Sequence, residues 1–118
     1  LDRSNKYCAI HLNVQSLPAK YDQIKELIVS LDKINITVHF LTLCETFLSD
    51  NSQNLYNIDG YDLVCKNRTS GRGGGVAIYV LKSLSFVIRD DIAINVDNEF
   101  ESVFIEVKSY KDKHSVIV

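Results

Sequence analysis

Cysteine is scarce and odd in number: the 118-residue chain has three. That excludes a small scaffold stapled by paired disulfides. An excess of charge of one sign is missing as well. Lysine and arginine number 13 against 15 aspartates and glutamates, a formal net charge of −2, so there is no strongly basic arm to attract phosphate. Long hydrophobic runs are absent. Polar residues interrupt every apolar stretch within about ten residues, whereas a membrane-spanning helix needs about twenty. Residues 1–6 are polar and lack the form of a signal peptide. No internal repeat, linker or low-complexity stretch is visible.

What remains is an ordinary globular composition, with 46% hydrophobic and 24% charged residues, which excludes a disordered chain. The length suits one domain, residues 1–118, able to bury roughly two thirds of its unfolded surface. The chain starts at Leu1 without an initiator Met and ends in the apolar run Val116-Ile117-Val118, which reads as the first half of a buried strand. The expectation is a partial domain, truncated at the C-terminus. Cys8, Cys44 and Cys65 sit in apolar strands without C-x-x-C spacing, so buried reduced thiols and an intracellular location are expected. His11, His39 and His114 share no spacing that suits zinc. Asn35-Ile36-Thr37 and Asn67-Arg68-Thr69 match the glycosylation acceptor pattern, which arises often by chance.

Period-2 alternation over Tyr7–Val14 predicts a strand with Cys8, Ile10, Leu12 and Val14 on one face. Ser16 then reads as an N-cap with Pro18 in the first turn, and the spacing of Tyr21, Ile24, Leu27, Ile28 and Leu31 predicts an amphipathic helix over Pro18–Leu31. Ile36–Cys44 is β-branched and nearly all apolar, as in a strand buried on both faces. Strand, helix and strand make a βαβ unit with a right-handed crossover. After a polar loop over Ser49–Asn57, strands are predicted at Tyr61–Asn67, Gly75–Leu81, Leu84–Ile88, Phe100–Val107 and Ser115–Val118. Residues 68–74 are a hairpin turn between the first two of these, and the short connections suit antiparallel hairpins. The expected fold class is α/β, an α+β sandwich.

Two residues stand out chemically. Asn13 closes the first strand and Glu45 follows the second. If those strands are parallel neighbours, both residues lie at the carboxyl edge of the sheet, where open α/β sheets bind ligands. A carboxylate with an amide beside it suits Mg²⁺, which takes one or two carboxylates and leaves room for waters and substrate phosphate. The plainer alternative is that Asn13 caps its turn with Ser16 and that Glu45 is solvated. Arg72-Gly73-Gly74-Gly75 lacks the Lys-Ser/Thr of a P-loop and leads into a strand, so a tight turn with positive φ is the expectation. Arg68 and Arg72 flank that turn and could lie along a DNA backbone.

Leu12-Asn13-Val14-Gln15-Ser16-Leu17 resembles the first motif of the endonuclease/exonuclease/phosphatase superfamily, and Phe40 through Leu48, with Glu45-Thr46 closing an apolar strand, resembles the second. Asp59-Gly60-Tyr61 with Arg68 through Val80 is similar to the apurinic-endonuclease-like branch encoded by non-LTR (LINE-type, jockey-like) retrotransposons. The match runs in order over almost the whole chain. It implies the N-terminal half of a four-layer, two-sheet fold, and Mg²⁺- or Mn²⁺-dependent nicking of target DNA for reverse transcription. It further implies Glu45 as metal ligand with Asn13 in the same polar cluster, both catalytic, DNA as partner, and a nuclear location beside a reverse transcriptase domain. The family also needs a later Tyr, an Asp-x-Asn motif, a further Asp and an Asp-His pair, which have no match here. His114 precedes a strand in the wrong part of the chain to be that His. The fragment is therefore expected to be inactive alone. The alternatives are a phosphatase of the same superfamily and a non-catalytic remnant or binding module.

Overall fold

The alternating segment forms β1, Ala9–Asn13, in a computed structural model that describes residues 6–68, 73–95, 101–108 and 115–118. Cys8, Ile10 and Leu12 pack against the core, as the alternation predicts. The hairpin tip at 69–72 with Arg72, together with Phe100, Lys111–Lys113 and His114, lies outside the described residues. Helix α1 spans Leu17–Lys33, one residue earlier and two later than its apolar spacing predicts. Ser16 caps it by accepting a hydrogen bond from the Ala19 N–H at 3.3 Å. It closes where Asn35 enters the left-handed region at φ 64, its N–H donating to the Asp32 carbonyl at 3.0 Å. Asparagine tolerates that conformation better than most residues.

Strand β2 is Phe40–Cys44, shorter than the apolar run around it. It pairs with β1 in parallel, from Ala9 opposite Phe40 to Asn13 opposite Cys44. Ahead of Phe40 the regular ladder ends, though the His39 N–H still donates to the Cys8 carbonyl at 2.9 Å. There the Cys8 N–H donates to the His39 ring nitrogen Nδ1 at 3.0 Å. Leu41 and Leu43 face α1, while Phe40 faces the opposite side. The polar segment after β2 contains a 3-10 turn at Gln53–Tyr56, not foreseen from its composition. Buried Tyr79 anchors it by donating to the Tyr56 carbonyl at 2.5 Å.

Strands β3 (Tyr61–Lys66) and β4 (Val76–Leu81) form the expected antiparallel pair. β4 also pairs antiparallel with β2, which gives a mixed sheet of order β1-β2-β4-β3. Its interior place explains why Ala77, Ile78, Tyr79 and Val80 are all buried. A second, antiparallel sheet has the order β5-β6-β7, from Phe86–Ile88, Ile105–Lys108 and Ser115–Ile117. It stacks on the face opposite α1, where Ile105 and Val107 meet Phe40, Val64, Ile78 and Val80. The architecture is α+β, with one α-helix and two sheets among the described residues. No helix among them is long and apolar enough to cross a membrane.

Candidate functional site at the carboxyl edge of the mixed sheet

The β1–β2 register puts Asn13 beside Cys44, so Asn13 and Glu45 emerge at the same carboxyl edge of adjacent parallel strands. The chain leaves that edge under strain. Five non-glycine residues have positive φ among those described, and four of them are here: Gln15 (43), Ser16 (99), Glu45 (53) and Phe47 (58). Each such residue costs about 1–3 kcal/mol and persists only where its surroundings dictate it. The surroundings do so from two sides. The Ser16 and Leu17 N–H groups donate to the carbonyls of Glu45 (2.9 Å) and Thr46 (2.8 Å). The Thr46 and Phe47 N–H groups donate to the carbonyls of Gly75 (3.3 Å) and Gly74 (3.0 Å). Glu45 is thus clamped between the β1–α1 turn and the glycine loop.

That loop needs its glycines. Gly73, Gly74 and Gly75 have φ of 80, 71 and 89. A Cβ on Gly74 would run into the Arg68 guanidinium, and one on Gly75 would lie 2.5 Å from Thr46 Oγ1. The expectation of a positive-φ turn holds for these three residues.

Glu45 opens into a cleft of about 770 Å³ whose wall includes Phe47, Ser49, Arg68, Gly74 and Glu101. Arg68 donates from Nε to Glu101 Oε1 at 2.5 Å and from Nη2 to Oε2 at 3.4 Å. The pair is shielded, with the Glu101 side chain only 12% exposed. Its hydrogen bonds to Glu101, with the added attraction of Glu45, raise the pKa of Arg68 and keep it charged. Asn13 lines a different, smaller hollow of about 240 Å³ with Lys20, Gln23 and Ile24. The sheet edge brings Asn13 and Glu45 together, but the cavities do not.

One half-buried carboxylate at a strand end, facing an open polar cleft, fits a hard divalent cation that keeps most of its waters. It does not fit a closed cage: among the described residues no group of three or more His, Cys, Asp and Glu is placed to hold a metal. The three cysteines are free and half-buried, less enclosed than expected. His11 contacts Thr42 Oγ1 at 2.8 Å and Cys44 Sγ at 3.8 Å, well away from His39 in the chain and in its contacts. Asn67 is buried, and its amide nitrogen donates to Asp50 (2.7 Å) and Gln53 (2.8 Å), so this acceptor pattern is structural.

Glu101 was not a candidate from sequence. It lies 33 residues beyond Arg68 and follows no motif, so only the stacking of the second sheet reveals it. The buried Thr46 was visible only as part of the second motif. No protein-family model matches the chain, and a search of curated proteins finds no match.

Proposed function

We propose that this chain is the cation- and phosphate-binding part of a metal-dependent phosphodiesterase, of the apurinic-endonuclease-like kind that nicks DNA for retrotransposon reverse transcription. The observation that carries the reading is the parallel β1–β2 register, which delivers Asn13 and Glu45 to one sheet edge. The strained, doubly clamped turn at Glu45 and the motifs around both residues support it. The stacking of a second sheet on the face opposite α1 is in keeping with the two-sheet fold of that superfamily.

Glu45 holds the cation by its carboxylate, while Asn13 stands at the neighbouring strand end with its own hollow separate from the cleft. Mg²⁺, when bound, supplies Lewis acidity that stabilises negative charge on the phosphate oxygens. Arg68 adds a fixed positive charge to the cleft wall on which the phosphate backbone lies. Arg72, four residues further along the sequence, is a second basic residue of the same segment. The residues that would orient the attacking water have no match in these 118 residues, so cation binding is measured on the chain and nicking on the parent protein.

Glu45→Gln keeps shape and removes charge. Plasmid nicking across a Mg²⁺ series, with circular dichroism as folding control, should fall by about a hundredfold or more, since each 1.36 kcal/mol is about tenfold in rate. High Mg²⁺ should recover part of the loss. Mn²⁺ titration of the chain should show the same weakening. A folded Glu45→Gln protein that nicks and binds Mn²⁺ like the wild type would remove Glu45 from the site.

A further inference from the structure

Arg68 and Glu45 line one cleft, and a guanidinium is the natural partner of a carboxylate. An Arg68–Glu45 pair would occupy the very oxygens a cation needs. The ion pair that Arg68 makes among the described residues is instead with Glu101, through Nε and Nη2. A second constraint acts on the same group. The guanidinium lies against Gly74 so closely that a Cβ there would collide with it, and the Gly74 carbonyl is already engaged by the Phe47 N–H in the turn after Glu45. A carboxylate from the segment leading into β6 and a side-chain-free patch of the glycine loop thus both bear on the position of Arg68.

We infer that Glu101 is a positioning residue: it holds the Arg68 guanidinium off Glu45, so that the Glu45 carboxylate stays open to a divalent cation. The inference rests on the reading that Glu45 binds such a cation. Without the grip of Glu101, Arg68 turns to Glu45, the other carboxylate that lines the cleft, and competes with the metal.

The test is Mn²⁺ affinity, measured by isothermal titration of the 118-residue chain, with circular dichroism for folding. Glu101→Asp is the informative variant. It keeps the net charge but shortens the side chain by one methylene, so it cannot reach Arg68 through both oxygens. Its Mn²⁺ dissociation constant should rise at least threefold. Adding Arg68→Gln to that background should bring it back to the wild-type value or below, because the competitor is gone. Glu101→Gln serves as a second variant and should weaken binding at least fivefold, again with recovery on Arg68→Gln. A Glu101→Asp chain that binds Mn²⁺ like the wild type, or a weakening that Arg68→Gln does not relieve, overturns the inference while leaving Glu45 as ligand. If Glu45→Gln itself leaves Mn²⁺ affinity unchanged, the cation reading fails first and the positioning role falls with it.

Discussion

Gly60 and Gly75 share nearly the same backbone, with φ of 87 and 89, yet they meet different surroundings. A Cβ on Gly60 finds nothing within 4 Å, so Gly60→Ala meets only the left-handed backbone penalty, about 1–2 kcal/mol. A Cβ on Gly75 lies 2.5 Å from Thr46 Oγ1. Thr46 is fully buried, and that same oxygen accepts from the Leu48 N–H at 3.5 Å, so it has no room to yield. Gly75→Ala should therefore lose about 1–3 kcal/mol more than Gly60→Ala, as urea denaturation of the two variants would measure; equal losses would show that Thr46 is not a rigid wall. The glycines' positive φ was legible in sequence because glycine is the residue that adopts it freely. The same conformation at Glu45 and Phe47 was not legible, since the forces imposing it come from Ser16, Leu17, Gly74 and Gly75, far along the chain.

At the level of elements, α1 shows how an apolar stripe becomes a docking face. Leu17 and Ile24 are buried against the mixed sheet, while Val29, on the outer side, is 53% exposed. Ile24→Ala should cost about 2–5 kcal/mol, the range for deleting a buried aliphatic side chain, and Val29→Ala less than about 0.5 kcal/mol. Chemical denaturation of both variants checks this, and comparable losses would mean that the helix is docked on another face. The stripe was readable because 3.6-residue periodicity is local information. The same holds for β1, whose alternation names its inward face correctly. The starting point of β2 was not readable. Ile36 and Thr37 are apolar or β-branched like the residues that follow, but they are exposed and extend beyond the β1 ladder, which begins at Ala9 opposite Phe40. The order of the mixed sheet was hidden for a related reason. The hairpin of β3 and β4 follows from short spacing, whereas the insertion of β4 beside β2 depends on contacts between distant segments. The site divides along the same line: Asn13 and Glu45 close consecutive parallel strands and could be paired in sequence, while Glu101 arrives from the irregular segment ahead of β6.

Across the whole molecule, the response to acid should come in two steps, set by two separate clusters of groups. The upper step belongs to His39. Its ring is held beside Tyr7 in an edge-on contact, its Nδ1 accepts from the Cys8 N–H, and burial pushes its pKa below the ordinary 6.5. The folded state then binds fewer protons than the unfolded chain, so stability depends on pH in the sense of linkage. The contribution is fully present above pH 6.5, declines as the pH falls below that value, and is gone once the pH has passed through the folded pKa. Protonation would also turn the Nδ1 acceptor into a donor facing the Cys8 N–H. The lower step belongs to Asp91 and Glu106, which Arg89 grips at 2.6–2.7 Å. Hydrogen bonding from Arg89 lowers the pKa of Asp91, and hydrogen bonds from Ser115 and Arg89 lower that of Glu106, from ordinary values of 3.8 and 4.5. Their contribution is present above those values and lost as the pH falls through the folded ones. His39→Asn separates the two steps, because its side-chain oxygen can accept from the Cys8 N–H in place of Nδ1 but does not titrate. Urea midpoints measured from pH 8 to pH 3 should fall for the wild type first below 6.5 and again below about 4.5, near the ordinary carboxylate range. The Asn variant should stay level until the lower step. Parallel profiles for the two proteins between pH 7 and pH 5 would show that His39 does not carry the upper step.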